Sequence, residues 1–485
     1  MMNIKQFIKR AALLALTLVF LAAAIGAAPS YDELRDDINA AIEQTRAIQG
    51  GDVLFSGEFL ESVGSSIPDW YAVALGRAGI KDNYAAYLSA LEGYVSDRYE
   101  EENLLDRVKA TEWHRISLTI ASLGGNPAAF GRNGDINLIA DGTYNWTHSD
   151  SLGKQGINGW IWSLIALDCL RHELPEGAKY TRDDIITQIL SRQLSDGGFS
   201  LFAEGGAGTD LTAMAIQALA PYYNSGQIYV YERADGQTAE ADVKSAVDAA
   251  LLCLSHLQTE NGDFSGDGEP SCEGSAQVII ALCAMGIDPA ADSRFTKNGN
   301  SAVDGLMRFQ TVDGGFCHTL SDGAKYNFMA TEQALQALVA TARLYGGFRS
   351  LFDCRSEPEK ETASLIKSLR EEIDALDAAA EAGQLTALWE KYLAIPTWEK
   401  SYVYNAGALR GVLIEAGEEP CAAYTAAEIG YTSGGNASVT EIFKGSEDSV
   451  SVIVWIVAAA VVVVGTLILV LRFRRGRGKK DRKVL

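Results

Sequence analysis

The chain has 485 residues, 47% of them hydrophobic and 21% charged, with 47 Gly against 10 Pro. That composition is too apolar for a disordered chain, too poor in Cys for a disulfide scaffold and too poor in Pro for a fibrous one, and it leaves room for a sizeable core. The net charge of −22 repels phosphate backbones, so no nucleic-acid partner is expected.

Residues 1–28 have a basic start (Lys5, Lys9, Arg10), an apolar run and small residues up to Ala28, the pattern of a secretory signal peptide cleaved near Ala28. From there two kinds of helix alternate. Amphipathic runs are expected at 31–49, 84–98 and, more weakly, 136–140, then at 184–193, 243–258 and 302–310. Between them lie apolar runs rich in small residues, starting at Pro68, Thr111, Asn158, Thr209, Cys272 and Asn327. Three of the amphipathic runs end in a repeated heptapeptide: QLSDGGF at 193–199, QTENGDF at 258–264 and QTVDGGF at 310–316. Its glycines suit a chain reversal at positive φ, and its Phe can plug a gap between helices. Small-faced helices approach one another closely while amphipathic ones meet water. The expectation is an all-α fold, an (α/α)6 toroid of six inner and six outer helices over residues 29–352.

Beyond Phe352 the repeat stops. Ile366, Leu369, Ile373, Leu376 and Ala380 form one apolar seam, and a second run at 385–393 is placed to fold back on it. Residues 353–430 are therefore expected as a short helical, membrane-proximal stalk, followed by a Gly/Ser/Thr-rich tether at 431–449. Residues 450–471, from Val450 to Leu471, carry no charge and reach roughly 33 Å as a helix, enough to cross a bilayer. Eight Lys and Arg follow in 472–485, which places this tail in the cytoplasm and the acidic bulk outside the cell. The expected location is the plasma membrane, as a single-pass protein with the lipid bilayer as one partner. Of the seven Cys, Cys169, Cys253 and Cys283 lie in apolar helical runs and read as core, whereas Cys272, Cys317, Cys354 and Cys421 lie nearer loops.

The Q-x-x-[DN]-G-[GD]-F turns resemble the repeat of the terpenoid cyclase and protein prenyltransferase toroid superfamily, also called prenyltransferase/squalene-oxidase repeats. Within it, DWYAVALGRAG and AQVIIALCAMGIDP look like helices of exported bacterial surface proteins. The resemblance covers about two thirds of the chain and is specific for fold, not for activity. Against the family's catalytic devices, the chain has no DxDD acid. Asp36-Asp37 and Asp183-Asp184 lack the third Asp of a magnesium-binding DDxxD. Asp313, Cys317 and His318 form only part of a zinc set, because no His follows on the next helix, and Cys272 and Gln277 are five apart where a thioester needs three. No metal and no cofactor is expected, and the balance leans away from an enzyme.

What remains is a cluster at the starts of the inner helices. Asp69, Trp70, Trp113, His114, Asn158, Trp160, Trp162, Asp210, Glu273, Tyr326 and Glu332 would gather at one mouth of the ring if those helices are parallel. Acids there complement helix N-termini, and acids with aromatics could line a pocket for a sugar ring, a corrin or an isoprenoid. The expected function is a membrane-anchored surface protein that displays the toroid as a non-catalytic ligand-binding module for a small molecule, glycan or lipid. The alternatives are a toroid enzyme acting on an isoprenoid or a glycan, and capture of a cobalamin-like ligand.

Overall fold

Six helices buried on nearly every side run parallel around a central axis: α2 (Ser66–Ala78), α4 (Thr111–Ser122), α6 (Asn158–Asp168), α8 (Thr209–Leu219), α10 (Cys272–Ala284) and α12 (Phe328–Tyr345). The structure, a computed structural model, describes residues 28–202, 206–233, 236–265, 268–376, 380–418, 420–431 and 436–443. The expected signal segment, apart from Ala28, and the expected membrane span lie outside these residues. Among the described residues no helix is long and apolar enough to cross a membrane.

Each inner helix packs on the next, and α12 returns onto α2, so the ring is closed. Small residues let the backbones approach: a Cβ on Gly76 of α2 would come within 2.3 Å of the Ser122 carbonyl oxygen on α4. The outer layer is α1 (Tyr31–Gln49), α3 (Tyr84–Glu102), α5 (Leu138–Gly142), α7 (Arg182–Leu190), α9 (Val243–Leu257) and α11 (Ala302–Met307). These helices are amphipathic. In α1 the buried positions are Leu34, Ile38, Ala41, Ile42 and Thr45, one stripe at helical spacing. Helices α5, α7, α9 and α11 pack on the inner helix that precedes them, and α1 packs on α12, the last one.

The repeated heptapeptide is what ties outer layer to inner. Gln193 donates to the carbonyls of Gly197 (2.8 Å) and Ala246 (2.7 Å), and Gln258 to those of Gly262 (3.0 Å) and Phe295 (2.9 Å). One carboxamide thus clamps its own turn and the next stretch of outer layer. In the third copy Gln310 donates to Asp37 of α1 at 3.1 Å, joining the last outer helix to the first. The Phe of each copy donates its backbone N–H to a hydroxyl on the inner helix that follows: Phe199 to Thr212 (2.9 Å), Phe264 to Ser275 (3.1 Å) and Phe316 to Thr331 (2.9 Å). Gly197, Gly262 and Gly314 sit at φ of +86°, +85° and +94°. All three also touch the next outer helix or its approach too closely for a Cβ.

The all-α expectation needs a correction. Strands β1 (Ile228–Glu232) and β2 (Thr238–Asp242) form an antiparallel ribbon between α8 and α9, with Ile228 opposite Asp242. Alternation explains it: Tyr229 and Tyr231 are buried, β1 packs on α7, and Ile228 and Val230 face outward. Two shorter ribbons, at 264–271 and 296–301, lead into α10 and α11. The Cys pattern also shifts. Cys272, Cys317 and Cys354 are as buried as Cys169, Cys253 and Cys283, and only Cys421 is exposed.

Residues 353–430, expected as a stalk, belong to the same compact unit as the ring. They form α13 (Lys360–Asp374), α14 (Ala382–Leu393) and α15 (Ala406–Glu415). The seam residues Ile366, Leu369 and Ile373 are buried, and α14 folds back on α13 as expected. Glu441–Leu485 clusters separately, and only Glu441, Ile442 and Phe443 of it are described.

The segment between α12 and α13 seals the ring at the C-terminal ends of the inner helices. Arg77, at the foot of α2, donates to the carbonyls of Leu351 (2.7 Å) and Asp353 (2.6 Å). Arg343, at the foot of α12, reaches the carbonyls of Arg349 (2.6 Å) and Arg77 (2.7 Å) and the Glu357 carboxylate (2.6 Å). Arg349 makes a two-pronged bond to Glu399 (2.7 Å each), and Arg355 another to Asp353 (2.8 and 2.6 Å). Burial, with Arg77 adding to it, pushes Arg343 down to about 10, and Glu357 opposes the shift. Burial works against the Asp353 charge, but Arg355 and Arg349 outweigh it and hold the carboxyl well below the usual carboxylate range.

The turn glycines supply a test of the ring. A Cβ at Gly314 would meet Ala40 at 2.8 Å while strained at positive φ. Gly314→Ala is expected to destabilise the chain by about 1–3 kcal/mol in urea unfolding. Gly383→Ala, in open space on α14, should leave the midpoint unchanged or slightly raised. Equal midpoints for both variants would contradict this account of the turn.

Candidate ligand-binding cup

The end of the ring opposite the seal is open. A cavity of ≈ 390 Å³ lies among the first turns of the inner helices, walled by Ser66 and Trp70 of α2, Thr111, Glu112 and Arg115 of α4, Asn158 and Trp162 of α6, Met214 of α8, Gln277 of α10 and Glu332, Gln333 and Gln336 of α12, with Lys109 and Gln155 just before α4 and α6. All but Gln336, in the third turn of α12, lie in the first two turns of a helix or just before it, so the inner helices are parallel, as the clustering of the expected mouth residues requires. Two aromatic rings floor the cavity, Trp70 and Trp162, 5.1 Å apart, and Phe352 of the sealing segment supports them, 6.3 Å from the first and 5.5 Å from the second. The seal and the support of the floor are one piece of chain.

Of the expected cluster, Trp70, Asn158, Trp162 and Glu332 line this cavity. The others are placed differently. Asp69 is fully buried behind it, accepting from Arg115 (2.9 Å), Tyr87 (2.6 Å) and the Gly64 backbone (3.1 Å); burial raises its carboxyl and Arg115 opposes that. Trp113 faces the outer layer, donating to Tyr99 of α3 at 2.8 Å and stacking on His148 at 4.8 Å. His114 is bonded to the Gly142 carbonyl at 2.6 Å, also between the layers, and Trp160 meets Tyr180 edge-on at 5.2 Å. Tyr326 bonds Thr45 and Tyr71, each at 2.9 Å, where α1, α2 and α12 meet. Asp210 and Glu273 hold matching positions on α8 and α10, two residues before the hydroxyls of Thr212 and Ser275. Asp210 lies beside Gly274, where a Cβ would come within 3.3 Å of its carboxylate, and Glu273 is bonded to His318 at 2.8 Å.

The sequence reading missed a row of carboxamides. Gln217 of α8 donates to both the side-chain and backbone oxygens of Gln277, at 3.0 Å each, and Gln277 donates to Gln333 of α12 at 3.0 Å. Gln336 donates to Glu332 at 2.5 Å. Burial pushes the Glu332 carboxyl well above the usual carboxylate range; Gln336 opposes this and nearby Glu273 adds to it. A signal existed: these are the polar positions in otherwise apolar, small-residue helices. Arg115 directs three of its five N–H groups to Asp69, the Gly64 carbonyl (2.6 Å) and Glu112 (2.7 Å).

The zinc of protein prenyltransferases does not fit here. Cys317 is buried, His318 turns outward to Glu273, and Asp313 is exposed on its turn, so the three side chains diverge. A wider depression of ≈ 740 Å³ lies at the sealed end beside His172 and Asn436. It lacks an aromatic floor facing convergent amides, and the cup is the better candidate on that ground.

Two histidines, His114 fully and His172 largely enclosed, set an acid limit on the structure. Burial lowers His114 and His172 to about 4, whereas an imidazole in the unfolded chain titrates near 6.5. Between those values the unfolded chain binds more protons than the folded one. Stability is therefore full above roughly pH 6.5 and falls as pH drops toward 4, by up to about 3 kcal/mol per ring. Urea midpoints at pH about 7 and about 5 should differ less in His114→Gln than in the parent; an unchanged difference would assign the acid sensitivity elsewhere.

Residues 143–353 match the family model described as the prenyltransferase alpha-alpha toroid domain. Comparison with curated proteins returned no match. Among solved structures, Candida albicans protein geranylgeranyltransferase-I complexed with GGPP is similar at 12% identity and a TM-score of 0.42, over 67% of this chain and 96% of that one. The matched residues 143–353 contain all three repeated turns and are similar to a domain of the prenyltransferase toroid superfamily.

Proposed function

We propose that the protein is a membrane-anchored, cell-surface member of this superfamily that displays its toroid as a ligand-binding module without catalysis of its own. The observation that carries the binding reading is the cup. It is sealed at one end, floored by Trp70 and Trp162 with Phe352 packed against them, and walled by carboxamides. An aromatic floor with a few convergent polar groups in a few hundred Å³ is the usual form of a small-ligand site. The non-catalytic part rests on the sequence, where the alkene-protonating acid, the magnesium motif, the zinc set and the thioester pair are each missing or incomplete. The anchoring part rests on the uncharged run at 450–471 and its basic flank, and the bacterial surface branch remains the favoured relationship.

Incubation of the full chain with isoprenoid diphosphates and cell-surface glycans is expected to give no turnover of either. Product formation abolished by Asp210→Ala or Glu273→Ala would instead establish an enzyme. The full chain should stay with membranes through alkaline carbonate washing, and a chain ending at residue 449 should be released. Equal release of both would remove the anchor.

A further inference from the structure

The chemistry of the cup points to a class of ligand, and this step rests on the reading of the cup as a binding site. Trp70 is only partly buried and, with Trp162, presents indole surface to the cavity, both rings backed by Phe352. An electron-rich ring face attracts the weakly positive C–H edges of a flat, aliphatic ring.

The wall supplies the other half. Aligned on the hydroxyls that pin the repeat turns, Gln277 and Gln333 stand two residues beyond Ser275 and Thr331, and Gln217 and Gln336 five residues beyond Thr212 and Thr331. The repeat therefore brings carboxamides to two heights, one shared by α10 and α12 and the other by α8 and α12. A carboxamide offers a donor and an acceptor side by side, the complement of two neighbouring hydroxyls, each of which can both give and take a proton. One buried acceptor of the lining stands ready: Asn158 Oδ1 has no hydrogen-bond partner within the protein. Leaving such atoms unmet costs free energy, which a hydroxyl donor would recover.

Charge argues against an anion. The cations among the lining residues are Lys109, exposed at the rim, and Arg115, already held by Asp69 and Glu112. A diphosphate would find the one guanidinium of the lining already neutralised by two carboxylates, and it would approach Glu112 and Glu332. We propose that the cup binds an uncharged sugar ring, stacked on Trp70 and hydrogen-bonded through its hydroxyls to Asn158, Gln277 and Gln333, and that it rejects isoprenoid diphosphates.

The test uses the full chain in detergent with four probes: maltotetraose, cellotetraose, chitotetraose and geranylgeranyl diphosphate. Binding is read by intrinsic tryptophan fluorescence and by saturation transfer to the C–H protons of the sugar rings. At least one tetraose should bind. Its affinity should fall about tenfold in Trp70→Ala and less in Trp70→Phe. Gln333→Ala, at a half-exposed position outside the core, provides a second variant that leaves the fold intact and should also weaken the sugar. Geranylgeranyl diphosphate should not bind. If it binds in a Trp70-dependent way and no tetraose does, the sugar assignment falls while the cup remains a binding site. If no probe binds, the sugar assignment falls again; if the natively purified chain also retains no small molecule by native mass spectrometry, the binding reading falls with it.

Discussion

A ring of helices has two open ends, and this one becomes a cup because buried arginines pin residues 349–357 across one of them. Burying guanidinium groups is costly, and the cost is offset only where each finds carbonyls or carboxylates in fixed positions. Arg77 and Arg343 meet backbone carbonyls of the strap, while Arg349 and Arg355 are forked onto Glu399 and Asp353. The same strap packs Phe352 against Trp70 and Trp162, so the interaction that shuts the far mouth also supports the floor of the cup. It further fixes the chain after the ring, since Glu399 precedes α15 and Tyr402 donates to Asp353 at 2.8 Å.

The repeat does a second job beyond folding. Each copy docks its turn by donating a Phe N–H to a Thr or Ser hydroxyl on the next inner helix, and this sets the height and rotation of that helix in the ring. Residues at fixed offsets from the hydroxyl then share a level. One level holds Gln277 and Gln333, a lower one Gln217 and Gln336, and an upper one Asp210 and Glu273. Register in the outer turns is thus converted into an ordered polar lining inside.

Part of the site was legible and part was not, for a definite reason. Trp70 and Trp162 stand at helix starts in small-residue runs, and both turn into the cup. Trp113, His114 and Trp160 stand at equivalent helix starts but turn toward the outer layer. An inner helix is buried on all sides, so its sequence shows no polar face to tell inside from outside. Phe352 was read only as the end of the repeat, because its role depends on a strap that crosses the ring far from its neighbours in sequence.

The alternation of small-faced and amphipathic segments, with Gly at turns that no other residue tolerates, was enough by itself to determine a closed double ring. Those signals are local: helical period and positive φ act within a few residues. Which mouth stays open, which aromatics face inward and how the carboxamides line up were decided by the tertiary structure alone. They depend on the rotation of six helices about their own axes and on a segment more than 270 residues away in sequence, bonded to Arg77. Such long-range geometry leaves no periodic trace in the chain.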